Sequence, residues 1–113
     1  MKGFGPKNHS KENNKHSNSL DNDSLINNAL VLHSKGKISE AKSSYQKLIN
    51  NGISDPRVFT NLGVIFQSEN DYERAVKLYK KSIKLFPGSH EAYSNLSRIL
   101  LETGQYDLAE TYL

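Results

Sequence analysis

The sequence repeats a pattern of side chains every 34 residues, and this period constrains the fold more than any other feature of the chain. Bulky residues recur at some positions of the pattern and small residues recur at others. The recurring sets are Leu25, Phe59 and Tyr93; Ala29, Gly63 and Ser97; Leu32, Phe66 and Leu100; and Ala41, Ala75 and Ala109. A fixed period of this length is typical of stacked supersecondary units, none of which buries its apolar face alone. Because such stacks are surfaces that hold partners, the pattern favours a binding function.

The middle copy of the pattern predicts two antiparallel helices. Asp55-Pro56 predicts the start of the first helix, because the Asp side chain accepts free amides and Pro suits the first helical position. Asp71 is the predicted cap of the second helix, which ends at Leu85-Phe86-Pro87-Gly88. The apolar faces of the two helices are Phe59, Leu62, Gly63 and Phe66 on the first, and Ala75, Leu78, Tyr79, Ser82 and Ile83 on the second.

The flanking copies predict the same hairpin, with turns at Gly36 and Gly104 and a cap at Ser89. In the first copy the two helical faces are Leu25, Ala29 and Leu32, then Ile38, Ala41, Tyr45, Leu48 and Ile49. In the third they are Tyr93, Leu96, Ser97 and Leu100, then Tyr106 and Ala109 in a helix that runs to Leu113. Small residues at Ala29, Gly63 and Ser97 let each first helix approach its partner, while Leu25, Phe59 and Tyr93 fill the layer between units.

Residues 1–21 differ in composition from the rest of the chain. They are rich in Asn, Lys, Ser and Gly and hold few large apolar side chains. Because such a segment cannot bury enough surface to offset its ordering entropy, we expect a disordered, solvated tail. The repeat array is expected to occupy residues 22–113, with copies at 22–55, 56–89 and, incomplete, 90–113.

Composition and charge exclude several functional classes. The net charge is +3, and residues 22–113 are nearly neutral, which argues against nucleic acid as the partner. The chain has no cysteine, no run of about 18 apolar residues and no secretory leader, so we expect a cytoplasmic protein that binds no membrane. The histidines are scattered and there is no phosphate loop or nucleophile elbow. We therefore expect no metal, no cofactor and no enzymatic activity.

The recurring residues of the 34-residue pattern resemble those of the tetratricopeptide repeat family. The middle copy, PRVFTNLGVIFQSENDYERAVKLYKKSIKLFPGS, matches its bulky first residue, Leu-Gly pair, aromatic positions, Tyr-x-x-Ala and closing Pro. The first copy departs from the pattern at Asn28 and at Asn51-Gly52. The resemblance implies an all-α fold, a right-handed superhelical stack of antiparallel helix hairpins. First helices would line a concave groove that binds peptides or proteins, and second helices would form the convex side.

The predicted groove centres on Asn27, Asn61 and Asn95, which are again 34 residues apart. A side-chain amide offers a donor and an acceptor, so three on one line could hold a peptide backbone without reading its sequence. This ladder resembles the repeat arm of O-linked N-acetylglucosamine transferases; the alternative is that these Asn residues are structural. The same geometry adds Ile26, Leu30, Thr60, Val64, Arg98 and Leu101 to the groove.

Two other binding modes are less favoured by the residues. Some tetratricopeptide proteins clamp a C-terminal carboxylate with groove lysines and arginines, but here the matching positions hold Ile26, Leu30, Glu91 and Asn95, and only Asn61 agrees. Lys77, Lys80, Lys81 and Lys84 form a stripe at i, i+3, i+4 and i+7. We interpret it as the solvated convex face of an amphipathic helix, with phosphate contact as the alternative.

Two functional hypotheses follow. The chain is either a small module that binds an unknown protein, or the N-terminal docking arm of a larger enzyme such as a glycosyltransferase or sulfotransferase. The second hypothesis rests on the unfinished third copy, since repeat stacks normally end in a polar capping helix. A continuing reading frame in the downstream DNA would support it. The unfinished edge also raises a third expectation, end-to-end stacking on another copy.

Overall fold

The computed structural model describes residues 21–105, 108 and 109. Within residues 21–105 there are five helices and no strand. They are α1 (residues 21–34), α2 (Ile38–Asn50), α3 (Pro56–Ser68), α4 (Tyr72–Leu85) and α5 (His90–Glu102). The helix α3 contacts α2, α4 and α5, and α4 also contacts α5. This confirms the all-α stack of helix hairpins that the 34-residue period predicts.

Two predicted segments fall wholly or partly outside the described residues. The expected N-terminal tail does so except for Asp21, which is helical. Of the helix predicted from Tyr106 to Leu113, only Leu108 and Ala109 are described; both are helical, and Ala109 is buried.

Side-chain caps fix where the two helices of the middle unit begin. The carboxylate of Asp55 accepts a hydrogen bond from the Arg57 amide at 2.8 Å, and Pro56 is the first residue of α3. The carboxylate of Asp71 accepts from the Arg74 amide at 3.2 Å. Both predicted caps are therefore confirmed. Ser89 occupies the N-cap position of α5 as predicted, but its side chain makes no capping hydrogen bond.

The first helices of the three units, α1, α3 and α5, end in the same left-handed turn. Gly36, Asn70 and Gly104 lie 34 residues apart and have φ values of 80°, 64° and 80°. At each turn the next residue donates its amide back across the helix end, for example from Asp71 to the Phe66 carbonyl at 2.8 Å. Glycine adopts this conformation without strain, and Asn tolerates it better than most residues. The period thus repeats the backbone geometry as well as the side chains.

The core runs along the stack between the two helices of each unit. The small positions Ala29, Gly63 and Ser97 are all buried, and so are Tyr45 and Tyr79 on the second helices. A buried small residue is therefore confirmed at all three positions, and at Gly63 close approach of the paired helix is confirmed by the contact with the Tyr79 ring.

One residue of the predicted apolar face of α1, Leu25, is not buried, whereas Ala29 is buried and Leu32 packs against the core. Ile26 is 2% exposed and belongs to the core, whereas Leu25 is 47% exposed. The corresponding Phe59 in α3 is 5% exposed. The physical reason is that α3 packs against α2, α4 and α5, whereas Leu25 lines an open cleft between α1 and α2 with Ser44 and Leu48. Leu25 therefore fills no layer between units.

Candidate peptide-binding groove

A cleft of about 430 Å³ lies between α3 and α5, the first helices of two successive units. We call this surface, together with the same side of α1, the groove. Its walls hold more polar and charged groups than apolar ones. They are Val64, Gln67, Ser68 and Tyr72 on one side, and Glu91, Asn95, Arg98 and Glu102 on the other. Three of the nine residues predicted from sequence, Val64, Asn95 and Arg98, are thus brought together in one cleft.

Asn95 and Arg98 form a hydrogen-bonded pair in this cleft. The guanidinium Nη1 of Arg98 donates to Oδ1 of Asn95 at 3.3 Å, across one turn of α5. Asn95 is only 8% exposed, whereas Arg98 is exposed. The amide oxygen of Asn95 is therefore engaged by Arg98, and its amide hydrogens are the groups left to offer a partner.

The other two members of the asparagine ladder differ in accessibility. Asn27 on α1 is exposed and Asn61 on α3 is half-buried. The cleft between α3 and α5 includes Asn95 but neither of these two residues. The ladder thus becomes less accessible from the first unit to the third.

Ile26 and Thr60 do not offer free surface to a partner. Ile26 lies in the core, and Thr60 is 4% exposed. The hydroxyl groups of Thr60 and Ser82 are hydrogen-bonded at 2.9 Å, and Ser82 Oγ also donates to the Pro56 carbonyl at 3.3 Å. The Thr60 side chain therefore links α3 to α4 instead of facing a groove ligand. Helical geometry predicted both residues near the groove. It does not distinguish a side chain that lines the groove from one that packs against the neighbouring helix.

The two remaining predicted residues keep some accessible surface. Leu30 is half-buried and packs against the core. Leu101 is 42% exposed on α5. Both remain able to contribute apolar contact to a groove ligand.

Four cleft residues, Gln67, Ser68, Tyr72 and Glu102, were not predicted from the sequence. Gln67 lies 34 residues before Leu101, and Glu102 lies 34 residues after Ser68. The period that placed Leu101 in the groove therefore contained the signal for Gln67.

Gln67 is held by a buried tyrosine from the second helix. The Tyr79 hydroxyl donates to Gln67 Oε1 at 2.7 Å, and one unit earlier the Tyr45 hydroxyl lies 3.3 Å from His33 Nδ1. Burial raises the pKa of Tyr45 to about 12 and raises that of Tyr79 as well. Both phenols therefore stay protonated at neutral pH, and Tyr79 can orient a cleft residue from inside the hairpin.

The cleft has mixed charge rather than a cluster of cations. Glu91 and Glu102 flank Arg98 along the described part of its wall. In residues 21–105, 108 and 109, no three His, Asp or Glu side chains are grouped as ligands for a metal ion. The same residues include no helix with the length and apolar character needed to span a membrane.

One family model matches part of the chain. Residues 66–113 match the family model described as Tetratricopeptide repeat. No curated protein matches the sequence. The match and the solved structures described below support the tetratricopeptide repeat family. A specific resemblance to O-linked N-acetylglucosamine transferases is not among these findings.

Solved structures share the fold. MamA 41-end from Desulfovibrio magneticus RS-1 is 25% identical with a TM-score of 0.70, over 80% of this chain and 51% of that one. The second TPR of Spaghetti (RPAP3), bound to HSP90 peptide SRMEEVD, is 18% identical with a TM-score of 0.75, over 85% and 89%. PcrH in complex with the chaperone binding region of PopB is 24% identical with a TM-score of 0.72, over 81% and 74%. The chain spans about half the length of MamA.

Proposed function

We propose that this protein is an interaction module that binds an extended segment of a partner protein in the groove. The observation behind the proposal is the cleft between α3 and α5, where Asn95, Arg98 and Gln67 meet beside the apolar Val64. Amide and guanidinium groups suit the carbonyl oxygens of an extended backbone, and half-buried apolar side chains exclude water from those bonds.

Two structural neighbours support this proposal. The Spaghetti domain was solved with an HSP90 peptide and PcrH with a region of PopB. These likenesses are of fold, so the groove chemistry must decide what this chain binds. We infer that the asparagine ladder contributes to binding through Asn27, Asn61 and the amide hydrogens of Asn95.

The charge of the cleft argues against a ligand that ends in a carboxylate. Glu91 and Glu102 lie in the same cleft as Arg98, so a ligand carboxylate there would meet two like charges. A segment with its own mixed charge, or one held mainly through its backbone, fits better.

The ladder can be tested with peptides selected from a random displayed library against the full chain. The variant combines Asn27→Ala, Asn61→Ala and Asn95→Ala. Because each net hydrogen bond contributes about 0.5–1.5 kcal/mol, we expect affinity to fall by roughly tenfold or more while helicity, measured by circular dichroism, is kept.

A matched control removes three exposed asparagines that lie away from the cleft, through Asn28→Ala, Asn50→Ala and Asn51→Ala. This variant should bind as the original chain does. Equal affinity of the ladder variant and the original, or equal loss in both variants, would show that the ladder does not hold the peptide.

A further inference from the structure

An apolar notch lies between α2 and α4, on the side of the stack opposite the groove, which is the predicted convex side. Its volume is about 310 Å³, near the lower end of the roughly 300–1,000 Å³ range of small-ligand pockets. We call it the convex notch. It is lined by Gln46, Ile49, Leu62, Phe66, Lys77 and Leu78, together with Asn50 and Arg74. Its size suits one or two apolar side chains of a partner rather than a whole small molecule.

The bottom of the convex notch is apolar, and the two cations beside its Phe66 ring are already paired with acidic side chains. Phe66 is 5% exposed and Leu62 is 3% exposed. Lys42 Nζ lies 4.7 Å from the centre of the Phe66 ring and 2.8 Å from Glu69 Oε1. Arg74 lies 5.6 Å from the same ring and is paired with Asp71 at 2.9 Å. These two cations frame the ring.

The lysine stripe of α4 begins at this notch. Unlike Lys42 and Arg74, its lysines are not paired with acidic side chains among the described residues. Lys77 lines the notch, and Lys80, Lys81 and Lys84 continue along the exposed side of α4. Among the described residues, none of the four forms an ion pair. Like charges three and four residues apart destabilise a helix, and the helix dipole favours only those near its C-terminal end. The lysines of the stripe therefore repel one another, and only Lys84, in the last turn, is favoured by the dipole.

The two sides of the molecule also differ in charge. The helix α4 has five basic side chains and one acidic side chain, Glu73. On the groove side, α5 has Glu91 and Glu102 against Arg98. A partner that is attracted to one side is therefore not attracted in the same way to the other.

We propose that the convex notch and the lysine stripe form a second docking site, for an acidic protein segment that inserts an apolar side chain into the notch. Its carboxylates pair with Lys77 and the lysines that follow, and its apolar side chain covers Ile49, Leu62, Phe66 and Leu78. A peptide fits better than single-stranded nucleic acid, which favours exposed aromatic rings for base stacking, because the ring at this site is nearly buried. The site is separate from the groove, so two partners can be held at once.

The test uses the full chain and a fluorescent synthetic peptide in which leucine is flanked by glutamates. We expect saturable binding, measured by anisotropy. The pair Lys77→Gln and Lys80→Gln should weaken it by about tenfold or more, whereas the matched pair Lys35→Gln and Lys37→Gln, in an exposed turn, should not. The ladder variant Asn27→Ala, Asn61→Ala, Asn95→Ala should bind this peptide normally.

Two further measurements separate the notch from charge alone. Gln46→Trp keeps the charge of the stripe but fills the notch, and should weaken binding; a peptide with serine in place of leucine should not bind. The proposal is overturned if the two lysine double variants lose affinity for the peptide equally. It is overturned too if the serine peptide binds as tightly as the leucine peptide, or if no acidic peptide binds. It is also overturned if an oligonucleotide or phosphatidylserine vesicles bind through Lys77 and Lys80 while the peptide does not.

Discussion

The ring of Tyr79 lies against the backbone of Gly63, so close that a Cβ atom at residue 63 would stand 2.6 Å from Tyr79 Cε1. This contact joins the two helices of the middle unit and leaves room for no side chain at residue 63. It also sets the tyrosine hydroxyl where it bonds Gln67 in the groove. One packing contact therefore links the core of the hairpin to the candidate binding surface.

Gly63→Ala should destabilise the protein. Overpacking costs about 1–3 kcal/mol, of which the better helix propensity of Ala recovers up to about 1 kcal/mol. Urea unfolding measures the change. Gly88→Ala is the matched control, because a Cβ there meets nothing within 4 Å, and should be nearly neutral. A Gly63→Ala chain as stable as the original would show that Tyr79 moves aside freely.

The Thr60–Ser82 hydrogen bond should show strong coupling. Ser82→Ala removes one partner of a buried pair, and we expect it to cost about 1–3 kcal/mol because the Thr60 hydroxyl loses its bond. Adding Thr60→Val removes the stranded hydroxyl, so the double variant should be less destabilised than the sum of the single variants. Additive changes in the free energy of unfolding would contradict the pairing.

Asp55 should stabilise α3, and this contribution should depend on pH. The Arg57 side chain, its amide and its charge hold the pKa of Asp55 below its usual value of 3.8. A lowered pKa in the folded state means that the stabilisation is present above the unfolded pKa and is lost as pH falls below it. Asp55→Ala should cost about 0.5–2 kcal/mol at neutral pH.

The control for that cap is Ser89→Ala, since the Ser89 side chain makes no capping bond. Its effect on urea unfolding should be smaller than that of Asp55→Ala. If the two substitutions cost the same, the Asp55 carboxylate contributes no more than an uncapped position does.

Alkaline pH should destabilise the fold through the buried tyrosines. The pKa of Tyr45 is raised from 10.0 to about 12 by burial. The folded chain thus keeps a proton that the unfolded chain releases, so stability is full below pH 10 and falls as pH rises toward 12. Urea unfolding at a series of alkaline pH values should show this fall, and Tyr45→Phe should lessen it. A flat profile would mean that Tyr45 ionises as easily in the folded chain as in the unfolded one.

Much of the hairpin architecture could be predicted because its signals are local. Asp55, Asp71, Gly36 and Gly104 act on the backbone beside them, so their spacing set the ends of the helices. Ser89 shows the limit of such signals, since a suitable residue stands at the right position without making the bond.

The groove was harder to predict because it depends on how each helix is rotated against its neighbours. Val64, Asn95 and Arg98 came together as expected. Ile26 and Thr60 turned inward, because the packing of α1 and the Ser82 hydroxyl on α4 decide their orientation. A 34-residue period gives the register of a side chain along the stack but not the angle at which it leaves the helix.

The most direct test of the central claim is amide chemical-shift mapping of the full chain with a library-selected peptide. Binding in the groove predicts the largest shifts at Val64, Gln67, Asn95 and Arg98, with little change at Gln46, Ile49 and Lys77 on the other side of the stack. Shifts confined to the second set, or spread evenly over both, would contradict a binding site in the groove.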